Sequence, residues 1–123
     1  PYLGCGSEGS KLCFNKVSTK LWLTALGIPN TPFVFLSEND GAAHAEAHQA
    51  MRRWGAVFVK AASQGSSVGT YRVTDVAQLS DAINKAFGYS EQVLVEKKQH
   101  FLQLSFSECM YTMHRQEAGR LKY

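Results

Sequence analysis

The chain has 123 residues, of which 45% are hydrophobic, 19% charged and 11% aromatic, with 10 Gly and 3 Pro. That length supports one domain, and the ordinary composition excludes collagen-like, wholly disordered and disulfide-scaffold classes. No apolar run approaches the ~18 residues of a membrane helix.

The opening Pro1-Tyr2-Leu3-Gly4 carries no charged-then-apolar leader and reads as the middle of something. Three cysteines, Cys5, Cys13 and Cys109, show no Cys-x-x-Cys spacing, so a reducing cytoplasm is the expected compartment. The net charge of +3 is unevenly placed. Residues 1–96 hold eight basic and eight acidic side chains, while residues 97–123 hold five basic and two acidic. A neutral body argues against a nucleic-acid-binding face, which would cluster Lys and Arg.

In chain order, residues 15–26 predict a helix with Val17, Leu21 and Ala25 on one face and Trp22 and Leu26 beside it, hence a well-buried helix. Gly27 suits its end, and Pro29 and Pro32 prevent continuation. Phe33-Val34-Phe35-Leu36 predicts a short buried strand. Residues 41–54 predict a second helix, with Asp40 as N-cap and Ala43, Ala47, Ala50, Met51 and Trp54 as its stripe.

Residues 56–60 predict a strand ending in a charge, 61–69 a loop, and 71–73 a returning strand. Asp75 with Gln78 resembles a capping box opening a helix with Val76, Leu79, Ile83 and Phe87 inward and Gly88 at its end. Residues 92–96 predict another strand, and the alternation of Leu102, Leu104 and Phe106 a further one. The strands flanking 61–69 are too close for a crossover, so they must be antiparallel. The expected fold is α+β: an antiparallel sheet with helices packed on one face.

The chemistry concentrates in Lys60-Ala61-Ala62-Ser63-Gln64-Gly65-Ser66-Ser67-Val68-Gly69. This is not a P-loop, because the lysine comes first and no Gly-Lys-Ser/Thr ending follows. Its glycines and serines leave backbone N–H groups open, and a turn of such groups forms an anion-binding concavity. Phe58 and Lys60 share a strand face, so Phe58 could cover a flat ring while Lys60 reaches its phosphates. The same composition also suits a plain hairpin turn.

Glu96 ends an apolar strand, where it could accept from an exocyclic amine or be a solvated strand end. Lys16 begins a helix, where a cation opposes the dipole, and it also suits a surface position. His44 and His48 stand at i, i+4, but no third ligand accompanies them, so an exposed polar face is expected rather than a metal site. No Gly-x-Ser-x-Gly elbow occurs, and Cys13 is expected to pack rather than react.

Together these segments resemble the D-alanine–D-alanine ligases of the ATP-grasp superfamily. The resemblance rests on Pro1-Tyr2-Leu3-Gly4-Cys5, Asn15-Lys16 with Lys20-Leu21-Trp22, Val59-Lys60 with Gly65-Ser66-Ser67-Val68-Gly69, and Val93-Leu94-Val95-Glu96-Lys97. It implies that residues 1–97 are the central ATP-binding subdomain and residues 98–123 a divergent tail. Lys16 and Lys60 would contact ATP phosphates, and Gly65, Ser66, Ser67, Val68 and Gly69 would form the loop closing over them. Ser66 would also lie near the second D-alanine, which with Lys60 makes it a catalytic candidate. Phe58, Glu96 and the backbone of Lys97 would receive adenine.

The implied reaction is cell-wall precursor synthesis in the cytoplasm, by phosphorylation of one D-alanine carboxylate and attack by the amine of a second. ATP and D-alanine would be the partners of the full-length parent, itself a candidate homodimer, with neither nucleic acid nor membrane involved. Asn15 stands where the family has aspartate, and Ala61 where it has proline. The amino-terminal lobe and the carboxy-terminal lobe that supplies the Mg²⁺ ligands have no counterpart here. The chain alone is therefore expected to be inactive. A non-catalytic nucleotide-binding or interaction module derived from such a ligase is the alternative.

Overall fold

Alternation along one central strand decides which way the sheet faces. In a computed structural model, which describes residues 3–99, Val57, Val59 and Ala61 are fully buried while Phe58 and Lys60 are half-buried on the opposite side. The elements run α1 (Ser7–Phe14), α2 (Lys16–Ala25), β1 (Phe33–Leu36), α3 (Gly41–Trp54), β2 (Val57–Ala61), β3 (Thr70–Val73), a 3-10 turn (Val76–Gln78), α4 (Leu79–Phe87) and β4 (Val93–Lys97). The sheet order is β1-β4-β2-β3, with every pairing antiparallel. The hairpin of β2 and β3 places Lys60 opposite Thr70, as the short connection requires.

One face carries the main core. Val57, Val59, Val73, Val93 and Val95 meet Ala47 and Met51 of α3 and Leu79, Ala82, Ile83 and Ala86 of α4. These two helices pack where the periodicity of their apolar residues directs them. The start of α3 is capped by Asp40, which accepts from the Ala43 N–H at 2.8 Å, and the 3-10 turn that leads into α4 by Asp75, which accepts from the Ala77 N–H at 3.0 Å.

The other face holds a smaller cluster. Val17 of α2 packs with Ala62, Leu94 and the half-buried Phe33. Thus α3 and α4 share the expected face, while α2 is laid across the reverse side, beside Phe58, Lys60 and Glu96. That placement is what creates the candidate site.

Three local expectations are corrected. The helix at 16–25 is not well buried: only Val17 is, and Leu21, Trp22 and Leu26 are exposed. Val17 meets the sheet, but the side of α2 turned to it continues through Lys20 rather than along the stripe, so Leu21 and Ala25 point outward. Val76 is exposed rather than inward, since the 3-10 turn puts it out of phase with α4. Gln78 makes no side-chain cap, so Asp75 acts without the reciprocal half of a capping box.

The α1 helix was not anticipated from the sequence; it buries none of its residues and lies against α2. The strand expected around 102–106 and nearly all of the 98–123 tail lie outside the described residues. Among the described residues, no helix is long and apolar enough to cross a membrane.

Candidate functional site

The loop after β2 is shaped by left-handed backbone. Ser66 and Ser67 adopt φ of 48° and 66°, and Gly69 adopts 64°. Serine occupies this region only at a cost, so two in succession mark a turn over-determined by its surroundings. The Val68 N–H donates to the Gly65 carbonyl at 3.0 Å and the Thr70 N–H to the Ser67 carbonyl at 3.2 Å. The residues 65–68 are exposed, and no described residue covers them. Gly69 is required outright: a Cβ there would lie 2.7 Å from the Ala61 Cβ and 3.2 Å from the Tyr89 ring.

The base of the loop is fastened from below. Ala61 N–H donates to the Gly69 carbonyl at 2.8 Å, a bond that proline in its place could not make. Gln64 donates from its amide to the Tyr89 carbonyl at 3.0 Å. Asn15 caps α2 by accepting from the Ser18 N–H at 3.0 Å and reaches Gln92 with its amide at 3.2 Å. Asparagine is among the residues best suited to this N-cap, because its side-chain oxygen takes up an N–H of the first turn that has no partner within the helix.

Lys16 begins α2 beneath this loop. Its ammonium donates to the carbonyls of Ala61 at 3.2 Å, Ala62 at 3.4 Å and Gln64. Burial and, second, the nearby Lys60 ammonium push its pKa below the ordinary lysine value of 10.5, with Glu96 acting against them. Lys16 thus sits at the root of the loop, held by three of its carbonyls.

Sheet register brings the remaining residues together. Glu96 lies opposite Phe58 on one side and Phe33 on the other. Its carboxylate pairs through one oxygen with Lys60 and through the other with Lys20 at 3.2 Å. The Lys60 ammonium also stands 5.3 Å from the centre of the Phe58 ring. Lys60 therefore turns along the sheet face toward Glu96, rather than toward the loop as its place at the end of β2 suggested. Lys97 commits its N–H to the Pro32 carbonyl at 2.9 Å.

A cleft of about 280 Å³ opens here, lined by Lys16, Lys20, Lys60, Leu94, Glu96 and, from the helices, Cys13, Thr19 and Leu23. Three ammonium groups face one carboxylate, so the cleft carries a surplus of positive charge suited to an anion. Lys20 is the site residue that sequence reasoning did not single out. Its i+4 spacing from Lys16 on one helix face was the available signal. Cys13, expected to pack, is exposed at the rim of this cleft.

The histidines lie elsewhere. His44 Nδ1 and His48 Nε2 each stand 3.2 Å from the Ser80 hydroxyl, joining α3 to α4. Both are half-buried rather than exposed as expected, because α4 packs beside them. Among the described residues, no three His, Cys, Asp or Glu side chains converge on a metal-sized space.

Residues 22–107 match the family model described as the D-ala D-ala ligase C-terminus. A D-alanine–D-alanine ligase of Tolumonas auensis is 81% identical over 97 residues, which is 79% of this chain and 29% of the relative. Another from Vibrio vulnificus is 54% identical over 123 residues, covering 98% of this chain and 37% of the relative. The solved D-alanyl-alanine synthetase A of Vibrio cholerae superposes with a TM-score of 0.78 at 57% identity, over 80% of this chain and 30% of that one. The chain thus spans about a third of the length of these relatives. The family match includes β1 through β4, with Lys60 and Glu96, so this chain belongs to the D-alanine–D-alanine ligase family.

Proposed function

We propose that this chain is the nucleotide-gripping part of an ATP-dependent ligase that joins two D-alanines through an acylphosphate. The observation that carries the reading is the gathering of Lys16, Lys60, Phe58 and Glu96 on one sheet face beside the 65–69 loop. Residues 1–97 act as the central subdomain. The N–H groups of the exposed Gly65, Ser66 and Ser67 receive phosphate oxygens, with Val68 and Gly69 completing the turn and Lys16 and Lys60 adding charge. Phe58 presents an apolar surface to adenine, Glu96 accepts from its amine, and the Lys97 backbone borders the ring. Ser66 lies where the second D-alanine arrives.

Charge placed in advance around a transferring phosphoryl group lowers the barrier without reorganisation during reaction. The Mg²⁺ that accompanies ATP finds no ligand set among the described residues, where the central carboxylate is already held by two lysines. Its ligands are assigned to the carboxy-terminal lobe of the longer relatives. Reaction in the cytoplasm, and pairing of two full-length copies, belong to the same reading.

Calorimetric titration of the 123-residue chain with ATP tests it. Saturable binding, weakened at least tenfold in Lys60→Met, is expected, together with no D-Ala–D-Ala formed by the chain alone. A folded chain that binds no ATP overturns the nucleotide site. A second reading, an interaction module without catalysis, is favoured by the exposed Phe14, Leu21, Trp22, Leu26 and Ile28. Concentration-dependent association without ATP binding is the result that would select it.

A further inference from the structure

Glu96 is held from two sides by lysines in unlike settings. Lys20 is enclosed: its side chain is 13% exposed, its ammonium pairs with Glu96 Oε2 at 3.2 Å and donates to the Thr31 carbonyl at 3.0 Å, and it sits 5.1 Å from the Phe33 ring centre. Lys60 is looser. Its side chain is 25% exposed, and it has Glu96 Oε1 and the Phe58 ring as its partners. The Glu96 side chain is 12% exposed, so an oxygen left without a donor would go largely unsolvated.

The Lys60 ammonium also stands where a base would have to lie, over Phe58 and against Glu96. A nucleotide can settle there only if that ammonium moves, and the phosphate group supplies the anion it moves to. The oxygen it leaves then needs another N–H donor. An exocyclic amine on the base provides one; a carbonyl at the same place would meet the carboxylate as one acceptor facing another.

We propose that Lys20 is a positioning residue for base recognition, anchoring Glu96 through Oε2 so that Oε1 passes from Lys60 to the amine of an adenine. This rests on the ligase reading above and extends it to how base and phosphates are recognised together. Amine and triphosphate then reinforce each other, since each makes the Lys60–Glu96 separation less costly for the other. Lys20 touches neither.

The test has a nucleotide-free arm and a nucleotide arm, both on the 123-residue chain. In the first, lysine ammonium resonances are followed by ¹⁵N NMR in wild type and Glu96→Gln. Both Lys20 and Lys60 signals are expected to shift; a Lys20 signal that stays put overturns the anchor. In the second, affinities for ATP and for inosine triphosphate, which carries a carbonyl in place of the amine, are measured by calorimetry.

Lys20→Met is expected to shrink the preference for ATP by about tenfold, the effect of one charge-assisted hydrogen bond, with little change for inosine triphosphate. Lys20→Arg is expected to restore it. Equal weakening of both nucleotides in a folded Lys20→Met, or an unchanged ratio, overturns the positioning role while leaving the ligase reading intact. A folded wild type that binds neither nucleotide overturns both.

Discussion

Lys16 meets Ala62 twice: its backbone N–H donates to the Ala62 carbonyl at 2.9 Å, and its own ammonium returns to the same oxygen at 3.4 Å. The start of α2 and the root of the 62–69 loop are thereby one unit. The helix N-terminus, which would repel a cation, holds this one because three loop carbonyls receive it.

Replacing Lys16 with Met should destabilise the fold by about 1–2 kcal/mol at neutral pH, from the loss of charge-assisted bonds offset in part by relief of desolvation. Because the folded pKa of Lys16 lies below its ordinary 10.5, the unfolded chain holds the extra proton in the interval between the two values. Stability contributed by this group therefore rises with pH through that interval. Urea melts of both proteins from pH 7 to 10.5 should show the gap between wild type and Lys16→Met widening. A constant gap would count against the shift.

Gly69→Ala should cost about 2–4 kcal/mol, combining a left-handed backbone with a Cβ at 2.7 Å from the Ala61 Cβ. Gly65→Ala, with nothing within 4 Å and no positive φ, should change stability by under about 0.5 kcal/mol. Chemical denaturation of the two variants checks the contrast. The glycines of this loop are thus predicted to differ in kind, one structural and one tolerant.

Ile83→Ala should cost about 2–5 kcal/mol, since the side chain is fully buried between α4 and the sheet. Trp22→Ala, though it removes a larger side chain, should cost well under about 1 kcal/mol because that ring is 56% exposed. Thermal melts rank the pair. A large loss at Trp22 would mean the exposed face of α2 is covered in solution.

Asp40→Ala should cost about 1 kcal/mol through loss of the α3 cap at the Ala43 N–H. Asp40→Asn should recover most of it. Equilibrium unfolding of the three proteins would show whether the cap is as local as it looks.

The local elements were legible where chemistry acts over a few residues. The alanine stripe with Asp40 before it defined α3 to the residue, and the brevity of 61–69 fixed β2 and β3 as a hairpin. The α1 helix was hidden because it buries none of its residues, and the outward Leu21, Trp22 and Leu26 of α2 misled because periodicity says that a face is apolar, not that anything covers it.

By itself the sequence determined the four described strands, the helices other than α1, the loop rich in Gly and Ser, and the family, since each depends on neighbours in the chain or on motif order. Tertiary structure alone decided that Lys16, Lys20, Lys60 and Glu96 form a single charged cleft. Glu96 is 36 residues from Lys60 and further still from Lys20. They meet only because antiparallel pairing of β2 with β4 sets Phe58 beside Glu96, and because Val17 seats α2 on that side of the sheet. Register and helix placement are long-range packing outcomes, and no local spacing records them.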